Sequence, residues 1–336
     1  MLEKLFQKIS FFSATAVLLL LVGIFTTLFL AAKPAIDEFG LGFLSDPRWN
    51  TEVVVDTPQN QLQTKTAQTE VSSNDTVDDD LMSDDEDLMG EDEDLLGDDE
   101  DLGASAKTKT VYGGLVPIVG TILSTLIAML FAVPIAMGIA VFLAEIAPKN
   151  ISTPVGIAIE LLAAIPSIIF GMWGLFYFAP IISETFGGYQ VSLLTAGLVL
   201  GIMILPFMAA ITRDSMNTTP DILKESAYAL GATKFEVIKD VIFPYSKVGI
   251  IGSIILSLGR ALGETMAVAF LIGAVYRLPE TITDPTISIP VAMAVNFGEA
   301  AGLGESALFY LGLILFVFSF GVISFAKFYF LKRKRG

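Results

Sequence analysis

Two ionisable side chains, Arg260 and Glu264, stand four residues apart inside a long apolar run. A continuous helix would put them on one face, where they can pair. Charge at membrane depth costs at least about 2.5–3.5 kcal/mol on insertion scales, so a guanidinium kept there implies a use. Arg260 is permanently charged and can hold an oxyanion through two parallel hydrogen bonds, with Glu264 as resting counter-ion and competitor. The plainer alternative is that the two only neutralise each other. Glu160, near the start of another apolar run, is either a second charge on the same route or an interfacial carboxylate. Pro166 interrupts that run beside Ser167 and frees backbone groups that must face a cavity or another helix. Gly259 and Gly263 have the spacing of close helix packing.

Enzyme chemistry is poorly supplied. The 336 residues include no cysteine and no histidine. Thiol catalysis, disulfides and Cys/His metal sites are excluded, and no side chain has an unperturbed pKa between about 5 and 8. An intramembrane enzyme would have to use Glu160 and Glu264, with no nucleophile signature beside them.

Hydropathy indicates the elements that must position these groups. The chain is 53% hydrophobic and 17% charged, where a soluble domain carries about 25% charged residues. A bilayer core needs about 20 apolar residues per helix. Six stretches qualify: residues 11–32, 115–143, 155–182, 191–211, 248–275 and 306–330. The expected fold is all-α and polytopic, with six transmembrane helices. The first stretch follows Lys4 and Lys8, but its 22 residues exceed the core of a signal peptide, so a retained helix is expected rather than a cleaved one. With the N-terminus inside, inward segments hold 13 of the 20 Lys and Arg residues and outward segments six, mostly in one long loop. Both termini are therefore expected in the cytoplasm.

Four regions follow: residues 1–32, an outer excursion 33–112, a core 113–330, and a basic tail 331–336. Of 36 acidic residues, 22 lie within 37–101, and 16 within 75–101 without one Lys or Arg, which accounts for the net charge of −16. The centre repeats four acids, two apolar residues and a glycine, as in Glu91-Asp92-Glu93-Asp94-Leu95-Leu96-Gly97. Self-repulsion, and a glycine costing about 1 kcal/mol in every heptad, argue for a disordered insert and against a coiled coil. Weak calcium binding and docking of a basic partner are the alternatives, although the EF-hand loop pattern is absent. Residues 287–297 are apolar but too short to span. A folded cap is the preferred reading there, a re-entrant segment the other.

Residues 212–247 form the longest inward loop. Thr219 is the expected N-cap and Pro220 the first-turn residue of a short helix ended by Gly231. A second helix follows over 234–242, closed by Pro244. Leu223, Ala227 and Leu230 make an apolar stripe suited to a partner's groove, or to the chain's own bundle.

In Glu225, Ser226, Ala227, Gly231, Val241, Phe243 and Pro244 this loop resembles the EAA loop of ABC-importer permeases, E-A-A-x3-G-x9-I-x-L-P. Ser226, Val241 and Phe243 depart from the pattern but keep its spacing. Gly259-Arg260-Ala261-Leu262-Gly263-Glu264-Thr265-Met266-Ala267 is similar to PstC-type permease subunits of phosphate ABC importers. So are Leu161-Leu162-Ala163-Ala164-Ile165-Pro166-Ser167 and Gly171-Met172-Trp173-Gly174. The resemblance takes in the first stretch and residue 115 to the C-terminus, and leaves out the acidic insert. It implies a MetI-like permease fold in a bacterial inner membrane and inorganic phosphate as substrate. It also implies a homologous second permease subunit, an ATP-binding cassette ATPase dimer below and a phosphate-binding protein above. Glu225, Ala227, Gly231 and Pro244 would then couple to the ATPase, while Arg260, Glu264, Ser167 and Glu160 are the pathway candidates. With no G-x-x-x-x-G-K-[ST] loop in the chain, ATP-Mg would be used by the partner. No cofactor, metal, catalytic residue or nucleic acid is expected on this chain. Import of sulfate or molybdate, and a signalling role in phosphate status, are the competing readings. The negative insert would repel free phosphate within about 10 Å at 0.1 M salt, which fits delivery by a binding protein.

Overall fold

Helix formation follows hydropathy along most of the chain, and prolines and glycines set where it stops. A computed structural model describes residues 2–54 and 108–332. In chain order, α1 (Leu2–Phe39) runs into a 3-10 turn, Gly40–Leu44, and α2 (Leu115–Val141) into a π turn, Phe142–Ile146. A separate helix α3 (Lys149–Ala163) precedes α4 (Ser167–Trp173), which continues through a π turn, Gly174–Phe178, into α5 (Ala179–Phe186). Then come α6 (Leu193–Asn217), α7 (Asp221–Ala229), and α8 (Lys234–Glu236), which continues through a third π turn, Val237–Ile242, into α9 (Phe243–Leu262). The short α10 (Met266–Ala269) and α11 (Ile289–Asn296) lead to α12 (Leu303–Lys332).

Among the described residues six runs are long and apolar enough to cross a bilayer: Leu5–Leu44, Leu115–Ile146, Ser167–Phe186, Leu193–Asn217, Lys234–Leu262 and Leu303–Phe328. The chain is a multi-pass membrane protein. Its central helix is α6, 67% buried over its most apolar stretch. Ala128, Ala132, Ala136 and Ala140, every fourth residue of α2, are fully buried. Facing them, a Cβ at Gly201 of α6 would lie 2.9 Å from the Phe131 ring and 3.1 Å from the Ala128 carbonyl oxygen. Lipid gives helices no hydrophobic drive to associate, so small residues that admit close backbones do that work. On its other side α6 runs antiparallel to α9: Ser215 Oγ donates to the Ser246 carbonyl at 3.2 Å, and the Thr212 and Ser253 hydroxyls share a buried hydrogen bond of 2.7 Å. Helix α1 packs along α12, with Phe25 and Phe316 5.9 Å apart.

Two spans are cut short by a helix breaker relative to their expected extents. The third begins at Ser167, not residue 155, because Pro166 lacks an N–H and pushes the residue before it out of helical geometry. The fifth ends at Leu262, not residue 275. Gly263 follows the last helical residue, and the chain turns away at Gly273 and Ala274, with φ of 98° and 49°. Pro244 does not close a helix but is absorbed in one. The Phe243 N–H reaches back five residues to the Ile238 carbonyl, and this wide turn inserts the extra residue that lets the helix pass its proline.

Residues 263–302 fold in part into the bundle, the arrangement that the re-entrant reading of 287–297 expects. The first N–H groups of α6 are satisfied here: Ser192, Leu193 and Leu194 donate to the carbonyls of Leu271, Asp284 and Ile282 at 2.8, 3.0 and 2.8 Å. The Ile289 N–H donates to Thr121 Oγ1 at 2.8 Å, which places the start of α11 about 9 Å along α2. Thr286 through Ala292 are all buried. Gly259 packs closely against Ile323 of α12, where a Cβ would lie a tight 3.1 Å from its Cδ1, whereas Gly263 is exposed and makes no such contact.

The described residues form two units, residues 1–50 with 112–336 and residues 51–111. In the second, β1 (Thr51–Val54) and β2 (Thr108–Val111) pair antiparallel, Thr51 opposite Val111 and Val54 opposite Thr108. The acidic repeat 75–103, with its calcium and disorder readings, lies outside the described residues, as does the tail 333–336.

Candidate functional site

The loop 212–247 is a helical hairpin. Helix α7 is capped by Pro220, not by Thr219: Pro220 has φ −60° and ψ 134°, so helical geometry starts at Asp221, whose carboxylate sits where the helix dipole favours it. Thr219 is buried, and among the described residues its Oγ1 has no hydrogen-bond partner. Gly231, at φ 88°, ends α7 by donating to the Tyr228 carbonyl at 2.9 Å, while the Ala232 N–H reaches Ala227 at 3.1 Å. Thr233 and Glu236 then form a capping box that starts α8. The expected stripe divides in two. Leu223 and Leu230 face outward with Ile222, Tyr228 and Phe235, and Leu230 is 90% exposed. Ala227 leans inward onto a small core of Met216, Val237 and Ile242. Glu225 and Pro244 are exposed. This surface is an apolar knob edged by exposed carboxylates, held to the bundle by Ala227 and by an ion pair from Lys224 to Glu145, 2.6 Å.

Arg260 and Glu264 do not share a helical face. Arg260 lies in the last turn of α9, and Glu264 in the break beyond it, where its Oε1 accepts from the Ala267 N–H at 3.3 Å and caps α10. Among the described residues no ion pair joins them. Arg260 instead lies over the Phe207 ring, 5.6 Å from its centroid. Its depth follows from the helix register. Ser253 sits level with Thr212, five residues from the end of α6, and Arg260 is about 10 Å further along α9. That is close to halfway along α6. Arg260 is exposed on its own chain, and charge at such depth must face protein or a water-filled route.

Ser167, half-buried, is the first residue of α4, which packs on α10: a Cβ at Gly171 would lie 3.0 Å from the Ala267 Cα. The structure therefore brings the helix bearing Ser167 against the element that Glu264 caps. It takes Glu160 elsewhere. That carboxylate accepts from Arg213 at 2.7 Å and fastens α3 to the hairpin end of α6, with Gly156 leaving room for the guanidinium.

Beyond the span ends, Asp284 accepts from the Thr281 and Glu280 N–H groups at 2.8 and 2.9 Å, bonds that hold its carboxyl below the usual range. Nearby, Trp49 stacks on Tyr276 with centroids 5.0 Å apart, and burial pushes the Tyr276 phenol up. Sequence reasoning missed Phe207, Arg213 and the Lys224–Glu145 pair. The one available signal was charge scarcity: outside the insert, each carboxylate near a span end invites the question of which cation it meets.

A family model described as binding-protein-dependent transport system inner membrane component matches residues 111–335. A Pasteurella multocida protein named phosphate transport system permease protein PstC is 51% identical over 236 residues, 64% of this chain and 74% of that protein. One of the same name from Haemophilus influenzae is 48% identical over 236 residues, 64% and 75% of the two chains. A Methanocaldococcus jannaschii protein named probable phosphate transport system permease protein PstC is 37% identical over 254 residues, 69% and 79%. Among solved structures, a chain of the inward-facing MetNI methionine ABC transporter aligns over 65% of this chain and 94% of its own, with TM-score 0.52 and 19% identity, a likeness of fold alone. A helical hairpin projecting between the fourth and fifth of six spans, together with these matches, establishes that the chain belongs to the family of inner membrane components of binding-protein-dependent transport systems.

Proposed function

We propose that the chain is the pore-forming subunit of an ATP-driven importer of inorganic phosphate. The observation that carries this is the 51% identity over 236 residues with a relative named a phosphate permease, and the family match over residues 111–335 takes in both the hairpin and Arg260. The chain makes no covalent change to its substrate. Both termini and the hairpin face the cytoplasm, consistent with the clustering of Lys and Arg on those segments. A homologous second permease covers the exposed face of Arg260, and the route runs between the two chains. An ATPase dimer takes the apolar knob of α7 into its groove and hydrolyses ATP-Mg. A phosphate-binding protein delivers the anion from the outer side.

Arg260 serves as the attractive station at mid-depth. It is free of Glu264, so its fork is available to a phosphate, while the Phe207 face stabilises it between passages. Glu264, in the break after α9, supplies repulsion that keeps the hold brief.

Proteoliposomes holding the full complex test the reading: labelled phosphate is expected to enter on ATP addition and labelled sulfate far more slowly. Preferential sulfate uptake would defeat the phosphate assignment. The docking surface is tested separately. Leu230→Asp puts a charge on a 90% exposed apolar tip. It should leave the chain's own stability nearly unchanged, yet weaken ATPase capture about tenfold or more, as expected for an interface anchor. Undiminished co-purification of the ATPase would remove Leu230 from the interface.

A further inference from the structure

The ion pair between Lys224 and Glu145 stands apart from the other ion pairs described above and below it in the chain. Arg48–Asp46, Arg213–Asp214 and Arg277–Glu280 join residues within one turn, and in Arg213–Glu160 the carboxylate side chain is 55% exposed. Lys224 and Glu145 are 79 residues apart, meet at 2.6 Å, and have side chains only 17% and 9% exposed. The pair joins α7, which buries none of its own residues, to the π turn that ends α2.

Beside it the contact is loose. A cavity of about 400 Å³ lies between α2 and the second half of the hairpin, lined by Val141, Ile146, Phe235, Ile238 and Phe243 among others. The hairpin is thus tied to α2 at one polar point and has room to shift at the other. Removing one member of an enclosed ion pair leaves the other charge without compensation, so the link resists being pulled apart. A π turn, carrying one residue more than an α turn, is a place where a helix can yield. From there α2 passes motion onward through its alanine ridge to α6, which bears Phe207 beneath Arg260.

We propose that Glu145 and Lys224 are positioning residues for energy coupling. The pair transmits the displacement of α7, seated on the ATPase, to α2 and so to the translocation route. This rests on the functional reading above. The test uses the complete complex in proteoliposomes, with labelled phosphate uptake and ATP hydrolysis measured in the same vesicles. Glu145→Gln and Lys224→Gln should each lower phosphate carried per ATP hydrolysed about tenfold, the scale on which coupling residues act, while the ATPase stays bound. Lys224→Arg, which keeps the charge, and the exchanged pair Glu145→Lys with Lys224→Glu should both recover the ratio to within about threefold of the native complex, as a true pairwise term requires. An unchanged ratio in the single variants overturns the proposal. So does an exchanged pair no better than the singles, or loss of the ATPase from them, which would make the pair part of the docking surface. If the native complex hydrolyses ATP without carrying phosphate, the functional reading itself fails and takes this inference with it.

Discussion

Replacing Arg260 with Gln should lower phosphate uptake by roughly 10- to 150-fold in a complex that still assembles and binds its ATPase. The range follows from losing one charge-assisted hydrogen-bonding partner, about 1.5–3 kcal/mol, at tenfold per 1.4 kcal/mol. The environment of Arg260 makes the expectation specific. It is exposed on its own chain at mid-depth, its neighbour is the Phe207 ring, and the carboxylate four residues on is engaged in capping α10. No partner within the described chain would be orphaned by the substitution, so the effect should fall on transport and not on folding. Arg260→Lys keeps the charge but loses the fork, and should fall between the two. Uptake of Arg260→Gln at the native rate would show that the anion does not pass this side chain. Glu264→Gln should act differently: it weakens the cap on α10 and removes the repulsion, so a tighter but slower passage is expected.

The second large effect is on the fold. In Gly120→Val, the new side chain would start where the Ile287 carbonyl oxygen now lies, next to Thr286. Backbone cannot swing aside as a flexible side chain can, so the re-entrant segment must lift from α2 and give up the Ile289-to-Thr121 hydrogen bond. Overpacking of this kind costs about 2–3 kcal/mol, which at 2–4 °C per kcal/mol is a melting temperature lower by roughly 4–12 °C. Thermal unfolding of the purified complex in detergent measures it. A change under about 2 °C would mean that residues 286–289 do not pack on α2 as described. Because the same segment satisfies the first N–H groups of α6, transport should fall together with stability.

These two sites mark what could and could not be read in advance. Six apolar stretches and the hairpin, with Gly231 as its stop, were legible because hydropathy and helix punctuation are local signals. The ends of the third and fifth spans were not. Residues 155–163 and 266–275 are as apolar as the spans they adjoin, and hydropathy cannot see that Pro166 and Gly263 cut the helices there. The position of Pro244 was legible and its effect was not, since a wide turn several residues earlier decides whether a proline ends a helix or is carried within it. Arg260 and Glu264 drew notice through their charge. Their expected pairing assumed an unbroken helix, and the break gave each a different neighbour. Ala227 shows the same limit at smaller scale: helical spacing put it on the stripe with Leu223 and Leu230, but only tertiary packing decides which edge of a stripe faces home. Glu145 and Lys224 carry no joint signal at all across 79 residues.

The pairing of α1 with α12 has a consequence for how the molecule is made. Its contacts tie residues made far apart in time, as in the hydrogen bond from Tyr310 Oη to the Gly40 carbonyl, 270 residues apart. At about 5–20 residues per second, the ribosome takes roughly 15–50 s to deliver that partner. Throughout this interval α1 must persist without α12, which its long apolar stretch and self-satisfied backbone allow. Helix α12 is then the one that recruits the waiting α1. A nascent chain cut short before α12 would leave α1 in lipid without the helix it packs along.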